Sequence, residues 1–497
     1  MKAHHLGSVV VAATFAALGP SVTAQEKSWK GESVIHTKPS EDIKFSDVVE
    51  GKRVFFPFSG LFPIIVREDR DGRVRIRDGR REGWVDKSDF VLARDAPAYF
   101  DRRVQANPKD TWALFMRAQS WFEKGEFDNA IRDFGEYIRL NPTDSSGFNS
   151  RGNAWSAKME YDKAIKDFDE AVRLEPKYTM AFAGRGYAFG AKHDYDKAIK
   201  DYDIVIRLDP TYTWAFNARG DAWRTKKQYD KAIGDYDEAI RLDPKDPKSF
   251  HNRGLAWYGK SEYDKAIRDY DESIRLDPHY AFAFFNRALT WHKMKEYDKA
   301  ISDFDKGIRL DPNDAPAFVG RGRARYYKQE YDKAIRDYDE SIRLDPQYAF
   351  AFYNRGTISF RKKEYAKAIR DFGEVIRLHP NEAYSMTLGH FAARHAADSA
   401  AAARFLKDSA RDVKEDWPYP VIRFLRGEID EPQLLKLADN NDKQTEARCY
   451  LGMDHAIKGR TSDARAHFRW VKENGNTTFI EYGIALAELE RLESKAE

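Results

Sequence analysis

The segment YDKAIRDYDESIRLDP occupies residues 263–278 and recurs without change at residues 331–346. A near copy, YDKAIKDFDEAVRLEP, occupies residues 161–176. These copies belong to a wider pattern, because prolines stand at intervals of 34 residues along the chain. The nine prolines are Pro108, Pro142, Pro176, Pro210, Pro244, Pro278, Pro312, Pro346 and Pro380. A fixed period of this length predicts a stack of similar supersecondary units.

Each repeat has the pattern of two amphipathic helices. In residues 145–178, Phe148, Gly152 and Trp155 form one stripe at spacings of three and four residues. A second apolar stripe follows from Tyr161, and Pro176 ends that helix because proline lacks the next N–H donor. One hairpin cannot bury its own stripe, so we expect each hairpin to stack on the next.

Glycine recurs in the first helix, for example at Gly152, Gly186 and Gly220. Glycine costs about 1 kcal/mol in a helix interior, so its recurrence predicts that the paired helices approach closely at this position.

An arginine and an aspartate also recur with the same period. Because an active site is not copied eight times, we interpret the two positions as a structural Arg–Asp ladder in which bidentate pairing fixes helix orientation. The arginines are Arg117, Arg151, Arg185, Arg219, Arg253, Arg287, Arg321 and Arg355. The aspartates are Asp133, Asp167, Asp201, Asp235, Asp269, Asp303, Asp337 and Asp371.

The order of large residue, small residue, aromatic, Ala, aromatic, Ala and Pro resembles the tetratricopeptide repeat family. In residues 145–178 that order is carried by Phe148, Gly152, Trp155, Ala164, Phe168, Ala171 and Pro176. The resemblance covers residues 111–380 as eight repeats. It implies a mainly α fold, a right-handed superhelix of hairpins, whose concave groove binds a peptide or protein segment.

The first 24 residues have the pattern of a signal peptide. Lys2 precedes an apolar run at residues 9–18, and Val22-Thr23-Ala24 offers small residues before a cut. The run is too short to span a bilayer, so we expect no stable membrane anchor after cleavage. The mature chain is then exported, to the periplasm or outside the cell.

Residues 28–95 contain short β-type runs separated by Asp-Gly and Gly turns, which predicts about five strands. The stretch RVRIRDGRREGWVDKSDFVL, at residues 73–92, resembles the end of bacterial SH3-like domains. This resemblance implies a small SH3-like β-barrel that acts either as a spacer or as a cell-wall binding module. Residues 96–107 then predict a helix that caps the first repeat.

After Pro380 the pattern decays. We expect a degenerate ninth hairpin at residues 381–413 and a helical C-terminal region at residues 414–497 with one further hairpin. The pieces WPYPVIRFLRGEI, RCYLGM and TTFIEYGIALAELERL resemble the envelope adaptor called new lipoprotein I. That resemblance implies an adaptor for envelope proteases and murein hydrolases. This chain lacks the lipid-anchor cysteine of that family and has far more repeats.

The net charge argues against nucleic-acid binding, and the lack of catalytic motifs argues against enzyme activity. Lys and Arg total 84 and Asp and Glu total 81, and this balance does not favour nucleic-acid binding. No nucleophile-elbow, Walker-type or dinucleotide-binding motif occurs in a suitable context. We therefore expect no enzyme activity, no catalytic residue, no cofactor and no metal site.

What remains is a binding surface, and the family resemblance implies that the first helices line it. Early candidates are polar and late ones are aromatic, so we expect the best contact surface in the later repeats. The candidates are Asn149, Asn153, Trp214, Asn217, Asp221, Phe282, Phe285, His292, Tyr326, Phe350, Tyr353 and Phe360.

The leading hypothesis is a non-enzymatic scaffold or adaptor of the cell envelope or secreted space that holds a protein or peptide. Two alternatives stay open: a peptidoglycan-binding protein acting through the SH3-like region, and an enzyme with an unrecognised site in the tail or the β region.

Overall fold

The structure is a computed structural model that describes residues 33–36, 45–49, 52–56, 64–70, 73–78, 81–86, 90–92, 95–407 and 417–494. The predicted signal peptide lies outside the described residues. The chain forms two compact units, Met1–Lys245 and Asp246–Glu497. None of the described helices is long and apolar enough to cross a membrane.

The first unit begins with seven strands joined by antiparallel pairing in the order β3-β2-β6-β5-β4-β1-β7. The strands are β1 (Ser33–His36), β2 (Phe45–Val49), β3 (Lys52–Phe56), β4 (Ile64–Arg70), β5 (Arg73–Asp78), β6 (Arg81–Asp86) and β7 (Phe90–Leu92). A closed barrel needs hydrogen bonds between its end strands. In the part of the chain that the structure describes, β3 does not pair with β7, so the predicted SH3-like barrel is not formed by these pairings.

A single helix, α1 (Ala96–Ala106), joins the sheet to the repeats. Its Phe100 and Val104 are buried in one cluster with Leu114 and Met116 of the next helix. Four helical hairpins complete the first unit: α2 (Thr111–Glu123) with α3 (Phe127–Leu140), α4 (Ser145–Ala157) with α5 (Tyr161–Leu174), α6 (Thr179–Ala191) with α7 (Tyr195–Leu208), and α8 (Thr213–Thr225) with α9 (Tyr229–Leu242).

The second unit contains four more hairpins and then a longer helical tail. The hairpins are α10 (Pro247–Gly259) with α11 (Tyr263–Leu276), α12 (Ala281–Lys293) with α13 (Tyr297–Leu310), α14 (Ala315–Tyr327) with α15 (Tyr331–Leu344), and α16 (Ala349–Arg361) with α17 (Tyr365–Leu378). The tail is α18 (Ala383–His395), α19 (Ser399–Lys407), α20 (Tyr419–Leu425), α21 (Glu431–Leu437), α22 (Asn441–Ile457), α23 (Thr461–Asn474) and α24 (Ile480–Glu493). The consecutive pairs confirm the prediction of a repeat stack.

The glycine position of the first helix lies directly against an aromatic ring of the second helix. A Cβ built on Gly152 would lie 2.8 Å from the Phe168 ring, and one on Gly322 would lie 2.5 Å from the Tyr338 ring. The predicted close approach of paired helices is therefore correct.

The Arg–Asp ladder is present in all eight repeats. In the hairpin of α12 and α13, Arg287 donates from Nε and Nη2 to the two carboxylate oxygens of Asp303, both at 2.7 Å. The remaining Nη1 donates to Asp271 of the preceding hairpin. The other seven pairs are Arg117–Asp133, Arg151–Asp167, Arg185–Asp201, Arg219–Asp235, Arg253–Asp269, Arg321–Asp337 and Arg355–Asp371. Each arginine thus fixes its own hairpin, and several also reach the hairpin before.

Candidate functional site

A pocket of about 330 Å³ opens between the first helices of two neighbouring hairpins, α14 and α16, in the second unit. Its walls are mostly aromatic. The lining residues are Val319, Arg323, Tyr326, Tyr327, Tyr348, Phe350, Tyr353, Asn354, Thr357 and Ile480. Three of the predicted groove residues, Tyr326, Phe350 and Tyr353, therefore meet in one cavity.

The three rings differ in exposure, because Phe350 is exposed whereas Tyr326 and Tyr353 are half-buried. Small residues such as Gly322 and Ala324 lie on the buried side of α14, where the partner helix approaches. The opposite side is left for larger residues. Phe350 stands near the start of α16 with 45% of its surface exposed, and its ring lies 5.7 Å from that of Tyr348. An apolar ring this exposed in a concave, aromatic setting is typical of a binding surface.

Arg323 brings a positive charge to the same pocket. The residue is exposed, and its charge acts on the side chains of His292 and Tyr348. Among the residues that the structure describes, Arg323 has no carboxylate partner, unlike the ladder arginines. Its guanidinium remains available for a bidentate contact with a carboxylate.

His292 lies beside this region and carries no charge near neutral pH. Burial, and then the positive charge of Arg323, lower its pKa to about 4. The imidazole contacts Tyr297 and Tyr327 edge-on, at ring distances of 5.4 and 5.3 Å. His292 therefore adds an apolar, neutral ring to the aromatic wall.

Tyr326 is held from the side by Arg361. The guanidinium of Arg361 donates to Tyr326 Oη at 3.3 Å and lies over the rings of Tyr326 and Tyr331. Burial raises the pKa of Tyr326, so the phenol stays protonated. These contacts fix the ring orientation before any ligand arrives, which lowers the entropy cost of binding.

The C-terminal helix closes one side of the pocket. Tyr327 donates from Oη to the carbonyl oxygen of Thr478 at 3.1 Å, and Ile480 contributes to the lining. Tyr353 packs against the tail core, together with Ile480. The tail therefore completes the pocket wall from within the same chain.

Not every predicted aromatic is accessible. Phe282 is 51% exposed, but Phe285 is only 7% exposed and Phe360 only 5%. A Cβ on Gly307 would lie 2.2 Å from the Phe285 ring, so this ring fills the space that glycine leaves in α13. Phe360 packs edge-on against Tyr365 at 5.7 Å. Both side chains support hairpin packing and are not free to contact a ligand.

The early candidates lie in the first unit, where Asp221 and Trp214 have side-chain partners. Asn149 is buried, whereas Asn153 is exposed. Asp221 accepts hydrogen bonds from Tyr236 Oη at 2.8 Å and from Arg224 at 3.2 Å. Trp214 is half-buried, with Tyr202 and Tyr212 within 6.0 Å, and Asn217 is half-buried as well.

Sequence reasoning missed Arg323, Tyr327, Tyr348 and Ile480 as lining residues. The repeat offered a signal for Arg323, because it occupies the same position as the candidates Asn153 and Asp221 in their own repeats. No sequence signal links Ile480 to this pocket, since it reaches the site only through the fold of the tail.

The described lining residues include no carboxylate, histidine or cysteine. The pocket offers aromatic rings, one arginine and one asparagine. Its chemistry suits binding.

Family profiles match most of the repeat region. Profiles described as tetratricopeptide repeat match residues 112–144, 151–213, 247–280, 281–314 and 349–382, and a profile described as TPR repeat matches residues 220–261 and 322–363. No curated protein matches the chain significantly.

Several solved structures resemble parts of the chain. MamA is 26% identical, with 33% of this chain and 96% of that chain covered at a TM-score of 0.31. A tetratricopeptide repeat protein from Parabacteroides merdae is 17% identical, with 50% and 98% covered at a TM-score of 0.43. YrrB, described as a TPR protein with an unusual peptide-binding site, is 20% identical, with 38% and 96% covered at a TM-score of 0.31. With its repeats at residues 112–382, the chain belongs to the tetratricopeptide repeat family.

Proposed function

We propose that this chain is a non-enzymatic scaffold that binds an extended protein or peptide segment in the pocket between α14 and α16. The observation that carries the proposal is the exposed Arg323, without a carboxylate partner among the described residues, inside an aromatic pocket of about 330 Å³. Aromatic anchors beside an available cation are typical of protein-binding hot spots.

The pocket chemistry defines the segment. A large apolar side chain suits the wall of Tyr326, Phe350 and Tyr353, because it removes exposed aromatic surface from water. A carboxylate next to that side chain suits Arg323, either as an acidic residue or as a chain terminus. The pocket is at the small end of ligand sites, so it takes a short part of the segment, and flanking contacts extend beyond it.

The test is peptide selection followed by measured affinity. Random peptides displayed on phage are selected on the full chain, and synthetic versions are measured by fluorescence polarisation. We expect selected peptides to combine an apolar residue with a carboxylate. Phe350→Ala and Arg323→Ala should each weaken binding about 10-fold or more, as expected when a hot-spot residue is truncated.

Matched controls separate binding from folding. Leu310→Ala removes an exposed apolar side chain outside the pocket, and Arg268→Ala removes an exposed arginine of α11. Both should leave affinity unchanged. Phe285→Ala is not a binding probe, because its buried ring supports the hairpin. Equal peptide affinity in the parent chain, Phe350→Ala and Arg323→Ala would refute the proposed pocket.

Export to the cell envelope is the second part of the proposal. It is supported by the signal-peptide pattern of residues 1–24 and by the likeness of the tail to the adaptor new lipoprotein I. The partner class is then an envelope protein, such as a protease or a murein hydrolase. Expression in a Gram-negative host with fractionation should give a periplasmic or released protein that begins at Gln25. Recovery of Met1 at the N-terminus would contradict this part alone.

Cell-wall binding through residues 28–95 stays a separate prediction. Co-sedimentation of the full chain with purified peptidoglycan tests it, and a chain without those residues is the comparison. Equal recovery of both chains in the pellet would exclude a role for the β region.

A further inference from the structure

Three metal-binding side chains converge in the tail, away from the aromatic pocket. Glu431 is the first residue of α21, His455 lies near the end of α22, and His467 lies in α23. One donor atom from each lies within 4.8 Å of the other two. The two histidines follow Glu431 by 24 and 36 residues, so no short sequence motif marks the cluster.

The donor atoms already stand close to the spacing of a metal site. Glu431 Oε2 lies 2.9 Å from His455 Nε2, and Glu431 Oε1 lies 3.0 Å from His467 Nε2. With metal–ligand bonds of about 2.0–2.1 Å, tetrahedral ligands lie about 3.3 Å apart. The imidazole rings are nearly parallel, at 6°, so one ring must turn for both nitrogens to face one ion.

Burial and local hydrogen bonding prepare the ligands. Both histidines are buried and each presents its Nε2 atom to Glu431, whereas neither Nδ1 atom has a hydrogen-bond partner among the described residues. Asp430 and Gln433 form a reciprocal capping box at the start of α21, with both bonds at 2.9 Å. That box fixes the backbone that carries Glu431. Glu431 itself is one-third exposed, which gives solvent access for a further ligand.

We propose that Glu431, His455 and His467 bind one divalent transition-metal ion, with Zn²⁺ as the best fit. Two imidazoles and one carboxylate favour Zn²⁺ over Mg²⁺ or Ca²⁺, which prefer oxygen ligands. Zn²⁺ also has no geometric preference from its d electrons, which suits a site that must adjust one ring. Water from the open side completes the coordination.

The ion would fasten α21 to the hairpin of α22 and α23. In α21 only Leu434 is buried, so its apolar anchoring is slight. Three bonds to one ion would hold the short helix against two longer ones. Because metal binding stabilises the state that forms the site, Zn²⁺ should raise the resistance of the tail to unfolding.

The experiment uses the full chain without a histidine tag, stripped with a chelator and dialysed. Zn²⁺ is titrated against a chromophoric competitor, and thermal unfolding and hydrogen exchange are followed with and without Zn²⁺. We expect one tight site per chain, a higher unfolding midpoint, and slower exchange in residues 431–437. Mg²⁺ should produce none of these changes.

Variants decide where the ion binds. His467→Gln and Glu431→Gln should each weaken Zn²⁺ binding by at least about 100-fold, because even outer partners of a metal site cost 10–100-fold. Glu431→Gln keeps a hydrogen-bonding side chain at a partly exposed position, so it tests the metal site even if His467→Gln does not fold. His279→Gln, at an exposed turn, is the matched control and should leave binding unchanged. Absence of a stoichiometric site, or equal affinity in the parent chain and Glu431→Gln, would overturn the proposal.

Discussion

At the scale of single residues, the repeated arginine fixes how the two helices of a hairpin pair. It pairs with a buried aspartate in its own hairpin and, in several repeats, with an exposed aspartate of the hairpin before. The same residue type has the opposite role at Arg323, which has no carboxylate partner among the described residues and points a charge into the aromatic pocket. Position within the repeat therefore separates structural from binding arginines.

Arg287→Met should lower the free energy of unfolding by about 3 kcal/mol, because it leaves a buried carboxylate unpaired. That carboxylate, Asp303, is only 4% exposed. The double change Arg287→Met with Asp303→Leu should recover most of the loss, since neither charge then remains. Urea unfolding followed by circular dichroism measures both. A loss no larger than that of the exposed Arg309→Met in the same hairpin would contradict the ladder's energetic role.

At the scale of elements, each hairpin turn has one residue in the left-handed region. The φ angles are 61° at Met159, 63° at Lys295 and 58° at Ala397, and the period of 34 residues continues through the tail's first hairpin. Glycine fills the position at Gly125 and Gly459, and Gly427 has the same conformation between α20 and α21. An L side chain is strained there, because its Cβ approaches the following carbonyl.

Lys295→Gly should therefore stabilise the hairpin of α12 and α13 by about 0.5–1 kcal/mol, after allowing for the greater freedom of glycine in the unfolded chain. Lys295→Ala keeps the Cβ and should bring no such gain. Thermal and urea unfolding of the three proteins give the comparison. A glycine variant less stable than the alanine variant would show that this turn carries no strain.

At the scale of the whole molecule, the tail core contains buried carboxylates that oppose ionisation. Glu446 accepts hydrogen bonds from Trp417 Nε1 at 2.5 Å and Tyr384 Oη at 3.3 Å. Glu481 accepts one from Tyr450 Oη at 2.6 Å. Burial, and then repulsion from Glu481, raises the pKa of Glu446 to about 7. The folded state thus favours the protonated acid.

An acid whose pKa is higher in the folded state than in the unfolded state stabilises the fold at low pH, and this stabilisation is lost as the pH rises. The contribution of Glu446 is fully present below its ordinary pKa of 4.5, declines as the pH rises towards 7, and is lost above about 7. At about 1.4 kcal/mol per pKa unit, the loss is about 3 kcal/mol. Glu446→Gln should therefore have a higher urea unfolding midpoint than the parent chain at pH 8 and a similar midpoint at pH 5. The exposed Glu490→Gln should have the midpoint of the parent chain at both pH values. Identical pH profiles for the parent chain and Glu446→Gln would disprove this assignment.

The repeat by itself determined the helices, the hairpin partners, the close approach at glycine and the Arg–Asp ladder. These features depend on residues at fixed spacing, which makes them local or nearly local: the ladder partners are 16 residues apart. The β region was predicted only in part, because strand pairing between distant segments such as β2 and β6 is not encoded in a short stretch.

Only the tertiary structure decided which aromatics are available. Phe285 and Phe350 are both candidate groove residues on the first helices of later repeats. Phe285 nevertheless packs against Gly307 of the partner helix, whereas Phe350 is exposed to solvent. Likewise, Ile480 reaches the pocket, and Glu431 reaches His455 and His467, only because the tail helices fold together. A sequence with a strict period specifies the frame of the repeats, because each unit repeats the same local packing. The aromatic pocket and the cluster of Glu431, His455 and His467 depend on residues that do not follow the period. Their contacts come from long-range packing, which no local sequence pattern predicts.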